Sequence, residues 1–157
     1  MKKLNWKILL TSLAIVYLVA FTGSLFTSPK TNTTWYESIK PAINPPNYIF
    51  PIVWNILFFL IAVSLYLAWT SAKNKNSKKK IALVFGINFV LNILWSALYF
   101  GLQNPFYALI EIVFLWGSIM LMIYTTHKFN KKSSYLLIPY LLWVSFAIVL
   151  NYLSVYQ

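Results

Sequence analysis

Formal charge in this 157-residue chain is confined to thirteen lysines and two glutamates, and their placement constrains the fold more than any other feature. Residues 8–29, 41–72 and 133–157 contain no lysine, aspartate or glutamate, and residues 81–127 contain Glu111 alone. A hydrocarbon core of about 30 Å is crossed by ~20 apolar residues of helix. Within it every backbone N–H and C=O must be satisfied internally, which leaves helices or closed barrels. Apolar residues make up 60% of the chain, against roughly 45–50% in a soluble domain. The reading is an all-α membrane protein, not a soluble globule.

The uncharged runs divide into five spans. The first, 8–26, follows Lys2, Lys3 and Lys7 and reads as a retained helix, because Thr22, Gly23 and Ser24 make a poor signal-peptide cleavage site. Residues 27–48 carry Pro29, Pro41, Pro45 and Pro46, which a helix interior does not tolerate. A connection this long is a functional lid or a linker; Trp35, Tyr36, Ile39, Ile43 and Tyr48 give it apolar anchors, favouring a packed lid. A second span covers 49–69, with Pro51 in its first turn, and five lysines end it. Residues 81–126 are too long for one crossing. Gln103, Asn104 and Pro105 supply the turn, giving spans at 81–101 and 106–126, and a fifth span covers 134–155. The whole chain, 1–157, is one five-helix bundle. Eleven lysines fall on the side of the N-terminus and two on the other. The positive-inside rule therefore expects a multi-pass cell-membrane protein with a cytoplasmic N-terminus and an outward lid and C-terminus.

A net charge of +11 raises the question of nucleic acid, but the lysines flank the spans rather than form one patch, so no such partner is expected. The absence of cysteine excludes disulfides, thiolate metal sites and a cysteine nucleophile. There is no Ser/His/Asp arrangement, no carboxylate pair and no phosphate-binding glycine loop, so hydrolase and kinase chemistries lack their parts. His127 lies at the inner end of the fourth span with no second ligand near it in sequence, and no metal site is expected.

The polar and aromatic residues at depth are more informative. Trp6 and Trp69 fit an interfacial aromatic belt. At 1.5 Å per residue Trp54 and Trp95 lie roughly 8–9 Å inside the outer ends of their spans, and Trp116 and Trp143 near mid-membrane. Each needs a partner for its indole N–H. Asn88, Asn92, Trp95 and Tyr99 share one face of span three, and Pro139, Trp143, Ala147 and Asn151 one face of span five. Such stripes either bond neighbouring helices or line a cavity. Glu111 is the one acid inside a span, which makes it a functional candidate or a neutral, internally bonded group.

Trp35, Tyr36, Lys40, Pro41, Pro45, Pro46, Phe50 and Trp54 resemble the W-Y…K-P…P-P…F…W signature of the TspO/MBR family, tryptophan-rich sensory proteins related to the mitochondrial translocator protein. Asn92, Trp95, Ser96 and Phe100 resemble its third-helix element. Pro139, Tyr140, Leu141, Trp143, Phe146, Ala147, Leu150, Asn151 and Tyr152 resemble its ending. The resemblance implies a homodimeric five-helix protein, in contact with membrane lipids, whose outer-half cavity binds a tetrapyrrole such as protoporphyrin IX or haem, or synthetic benzodiazepine-site ligands, with no obligatory cofactor. It implies Trp54, Phe58, Asn92, Trp95, Trp143 and Ala147 as ligand-lining residues. Trp54 and Trp143 are also the implied catalytic positions if the protein degrades protoporphyrin IX in light. The sequence departs from the family at Ile43, where tryptophan is common, and in lacking a basic residue after Tyr152; sterol is the less favoured ligand. The expected function is tetrapyrrole binding in sensing, sequestration or disposal, with light-dependent porphyrin breakdown and transport of porphyrins or lipids as alternatives. Transport has little sequence support, since no repeat is visible and Glu111 is the only intramembrane charge. A small pair, Ala97 and Gly101, is the only hint of close helix approach in an oligomer.

Overall fold

The computed structural model describes residues 4–156, so Lys2 and Lys3 of the N-terminal cluster lie outside the described residues. Helix α1 (Trp6–Thr27) starts where the Asn5 side chain accepts the Ile8 N–H at 3.2 Å. In the lid, Thr33 caps the short helix α2 (Thr34–Ile39) by accepting the Tyr36 N–H at 3.4 Å. Lys40 is extended because the following proline disfavours the helical region there. Helix α3 (Ile49–Ser71) accommodates Pro51 in its first turn, where the missing N–H has no intrahelical partner to lose.

The lysine cluster after α3 is not the loop its charge implied. Only residues 72–74 connect the helices, and Lys75, Lys78, Lys79 and Lys80 lie in the first turns of α4 (Lys75–Ser96). Asn74 provides the cap, its side chain 2.8 Å from the Ser77 N–H; lysine is a good helix former whose stem covers apolar surface while its head stays in water. The helix ends in a π-helical turn, Ala97–Gly101, closed by the Leu102 N–H on the Ala97 carbonyl at 2.8 Å. The turn read from Gln103, Asn104 and Pro105 is present: Gln103 has φ 51°, and Asn104 caps α5 (Pro105–His127) with Pro105 in its first turn. The fifth span is broken into α6 (Lys131–Tyr135) and α7 (Ile138–Tyr156). Pro139 has no N–H to donate one turn back, so the ladder cannot run through.

Five stretches are long and apolar enough to cross a membrane: Trp6–Thr27, Ile49–Ser71, Lys75–Gly101, Pro105–His127 and Lys131–Tyr156. Helix α1 packs on α3 and α4, α4 on α5, and α5 on α7. Away from the lid, α3 is pinned to α6 by Ser64 and Ser133, whose hydroxyls lie 2.9 Å apart and bond each other's backbone. Small serines permit that close approach. Toward the lid α3 and α7 touch only sparsely, and the space left there becomes the cavity described next. The main core, around Val16, Leu57, Ile61, Phe85, Ile112, Ile119 and Tyr140, fills the rest of the bundle.

Gly101 shows why the small pair Ala97 and Gly101 need not be read as an oligomer contact. A Cβ at Gly101 would lie 3.0 Å from Cδ1 of Phe26 on α1, so the missing side chain serves packing within the bundle.

Candidate functional site

A cavity of about 490 Å³ lies beneath the lid, walled by α1, α3, α4 and α7 and roofed by Thr31, Tyr36, Asn44 and Asn47. Helix α5 contributes nothing to it. The lid is held down by a second apolar cluster in which Tyr36, Tyr99, Phe100 and Ala108 are buried, with Trp35 against them. The Trp35 and Phe100 rings meet edge-on at 6.5 Å, and Tyr36 and Phe100 at 5.7 Å. The π-helical turn delivers Tyr99 and Phe100 to that contact; an added residue per turn re-aims the side chains that follow.

All six ligand-lining residues named from the sequence, Trp54, Phe58, Asn92, Trp95, Trp143 and Ala147, face this one cavity. The helical repeat explains why: Phe50, Trp54 and Phe58 are four apart on α3, and Trp143, Ala147 and Asn151 four apart on α7. The rings differ in how they are held. Trp54 stacks on Phe58 at 5.3 Å and meets Tyr140 edge-on at 6.1 Å. Trp143 meets Phe50 edge-on at 5.8 Å. Trp95 stacks on Tyr99 at 5.2 Å and donates its indole N–H to Asn151 Oδ1 at 3.1 Å. Among the described residues the indole N–H groups of Trp54 and Trp143 have no protein acceptor, and neither is sealed inside the protein; both residues line the cavity.

The asparagine stripe divides in two. Asn88 donates to Ser118 Oγ at 2.8 Å and accepts from the Tyr140 hydroxyl at 3.3 Å, away from the cavity. Asn92 donates to Tyr140 Oη at 3.0 Å, which fixes its amide and leaves Oδ1 as the group that can meet a ligand. Trp116, the other deep tryptophan, donates to Ser145 Oγ at 2.9 Å and does not line the cavity.

Among the described residues no charged side chain lines the cavity. The Lys40–Glu37 pair, 2.8 Å apart, lies on the exposed side of the lid. Burial pushes the Tyr36 phenol up from its ordinary value, so at neutral pH it stays a neutral hydroxyl, accepting from Asn44 Nδ2 at 3.5 Å. His127 Nδ1 lies 3.0 Å from Ser134 Oγ, at the opposite end of the bundle. Among the described residues no cluster of histidine, aspartate or glutamate is arranged to hold a metal ion.

Glu111 is 5% exposed, and neither carboxyl oxygen has a hydrogen-bond partner. It sits inside the bundle rather than on the cavity wall. A sealed polar group without a partner costs roughly 1–3 kcal/mol. Glu111→Leu, of similar volume, is therefore expected to stabilise the protein by about that amount and leave the cavity intact. Thermal unfolding in detergent would show a raised midpoint; a lowered one would mean that Glu111 holds a bridging water or neighbour worth keeping.

The sequence reading missed the α1 wall: Tyr17, Ala20, Phe21, Gly23, Ser24 and Thr27 all line the cavity. The spacing of 17, 20, 24 and 27 is helical, and the small and hydroxylated residues along it are the one signal present. The lid asparagines were missed too. Asn47 donates to the Thr31 carbonyl at 3.2 Å while its Oδ1 is buried without a partner.

Five spans enclosing an uncharged, tryptophan-lined cavity under a packed proline-rich lid define an integral multi-pass membrane protein with a lidded aromatic site. The chain belongs to the TspO/MBR family, whose description matches residues 12–156. It is 40% identical over 152 residues to the tryptophan-rich protein TspO of Chlorobaculum tepidum, covering 95% of this chain and 96% of that one. A tryptophan-rich protein TspO from Archaeoglobus fulgidus is also 40% identical, over 92% of each chain. The human translocator protein is 27% identical over 137 residues, covering 86% of this chain and 80% of its own.

Proposed function

We propose that the protein binds a tetrapyrrole in the lidded cavity and acts in its sensing, sequestration or disposal. The observation that carries the reading is the pair of cavity-lining indoles without a protein acceptor, Trp54 on α3 and Trp143 on α7, in an uncharged cavity lined by aromatic rings and by asparagine, serine and threonine side chains. Its volume, about 490 Å³, falls within the range of sites that bury a whole small molecule behind a few polar anchors. A macrocycle would lie against the Trp54, Trp95 and Trp143 rings. Asn92 Oδ1 and the lid asparagines offer hydrogen bonds to its edge, and the lid would cover it. The relative from Cereibacter sphaeroides, 28% identical over 150 residues, bears the name tryptophan-rich sensory protein.

The donor set favours a metal-free ring over haem. Among the described residues no histidine, cysteine or methionine lines the cavity, and of the common axial ligands of haem iron only tyrosine does, at Tyr17, Tyr36 and Tyr99, whose hydroxyls already bond the Asn55 carbonyl, Asn44 and Ser154. Transport coupled through Glu111 draws no support from a carboxyl sealed away from the cavity.

The test is quenching of tryptophan fluorescence in detergent-solubilised protein titrated in the dark with protoporphyrin IX. Saturable quenching at a defined stoichiometry, weakened about tenfold in the Trp54→Phe, Trp143→Phe variant, is expected from the loss of two indole hydrogen bonds at roughly 0.5–1.5 kcal/mol each. Unsaturable quenching, equal in both proteins, would reduce the interaction to partitioning into the micelle.

Trp54 and Trp143 are oxidisable indoles on the wall of the same cavity, which is what favours a second reading, light- and oxygen-dependent porphyrin breakdown. Under illumination, breakdown faster than that of free porphyrin and lost in the double variant would support it. A rate equal to the free-porphyrin rate would reject it.

A further inference from the structure

At the end of the bundle away from the lid, α4 presents Lys75, Lys78, Lys79 and Ala82 on one face, at the spacing that aligns side chains along a helix. With Asn76 and Trp69 of α3 they line an open cleft. Lys78 Nζ lies 5.7 Å from the centre of the Trp69 ring, and Trp69 is itself packed on the main core. The same face continues to Gly86, where an added Cβ would meet nothing within 4 Å. Ala82 is exposed as well. The small side chains of Ala82 and Gly86 thus leave a shallow strip of open surface for roughly 10 Å along α4 below the lysines, in the apolar part of the span.

Neither acidic side chain of the protein neutralises these lysines. Of its two acids, Glu37 is paired with Lys40 on the lid and Glu111 is sealed inside the bundle. Three ammonium groups within about one turn repel one another, so the cleft is complementary to an anion from outside. The other lysine group at this end is arranged differently: Lys128 Nζ caps the Tyr124 ring at 4.0 Å, and the exposed Tyr124 and Leu121 side chains fill the face beneath it.

We infer that this cleft binds one anionic phospholipid. Lys75, Lys78 and Lys79 hold the headgroup phosphate, Trp69 flanks the glycerol, and an acyl chain lies along Ala82 and Gly86. Ammonium groups at a membrane surface attract anionic headgroups, and a ring such as Trp69 prefers that depth. The strip makes the site selective for a lipid over a free anion. This inference is independent of what the lidded cavity binds.

Native mass spectrometry of the full chain in detergent, titrated with dioleoyl phosphatidylglycerol or dioleoyl phosphatidylcholine, tests it. One phosphatidylglycerol is expected to be retained in preference to phosphatidylcholine. Its affinity should fall on the order of 100-fold in Lys75→Gln, Lys78→Gln, Lys79→Gln. It should change little in Lys128→Gln, Lys131→Gln, Lys132→Gln, which removes equal charge. Gly86→Leu, whose side chain points into open space, should weaken binding about fivefold by filling the strip. Equal losses in the two triple variants would overturn the site in favour of diffuse attraction. Displacement of the lipid by inorganic phosphate would overturn it in favour of a free-anion site. Unaltered lipid binding in Gly86→Leu, with a loss of dimer mass, would assign the strip to a second copy of the chain.

Discussion

Replacing Ala147 with phenylalanine is expected to reduce affinity for protoporphyrin IX on the order of 100-fold, a change of about 2.7 kcal/mol, while leaving the unfolding midpoint nearly unchanged. Ala147 lies one helical turn beyond Trp143 on α7 and is half-buried against the cavity. It is a small side chain set among the rings of Phe50, Trp54, Phe58, Trp95 and Trp143 on the cavity wall. A phenyl group there enters space that a macrocycle must fill, and it does so without displacing core atoms. Overpacking a filled core costs about 1–3 kcal/mol, so a stable protein with no binding is the signature of a true cavity. Ala147→Gly serves as the control and should bind nearly as the parent does. If Ala147→Phe still shows saturable quenching at the parent concentration, the ligand does not sit between α3 and α7.

The spans were legible in the sequence because uncharged runs near twenty residues have few alternatives, but their ends were not. Lys75 to Lys80 read as a connection since charge marks the limit of the hydrocarbon, whereas helix formation continues past that limit once Asn74 supplies a cap. The interruption between α6 and α7 was foreshadowed by Pro139, yet proline also occupies the first turn of unbroken helices, as Pro51 does in α3. Three walls of the cavity were legible because tryptophan and asparagine stand out in an apolar helix. The α1 wall was not, because Tyr17 and Phe21 are also what a lipid-facing surface carries and their exposure is indeed high. Least legible were the hydrogen-bond partners. Asn92, Trp95 and Asn151 share the cavity, but which of them spends its donor inside the protein depends on the rotation of α7 against α4. That leaves Trp95 bonded, and Trp54 and Trp143 free to meet a ligand.

Asn151→Leu is expected to destabilise the protein by about 2–3 kcal/mol, and its effect separates framework from ligand contact. Asn151 is 1% exposed. It accepts the Trp95 indole N–H at 3.1 Å and donates to the Pro105 carbonyl at 2.8 Å, so one side chain ties α4, the start of α5 and α7 together beside the cavity. Leucine keeps the volume and removes both bonds, leaving the partly buried Trp95 indole N–H and the Pro105 carbonyl without these partners. Measured contacts of this kind between membrane helices are worth roughly 0.6–2 kcal/mol each, which puts two lost bonds in the stated range. The second arm is a double-mutant cycle with Trp95→Phe. Removing the stranded donor as well should recover part of the loss, because an unsatisfied group costs more than an absent pair. Denaturant unfolding in detergent gives the stabilities. Porphyrin titration of the same variants shows whether the freed Trp95 ring still forms part of the wall. An Asn151→Leu protein as stable as the parent would show that the Asn151 bonds do not hold the helices, and the orientation of Trp95 would then rest on its stacking with Tyr99 alone.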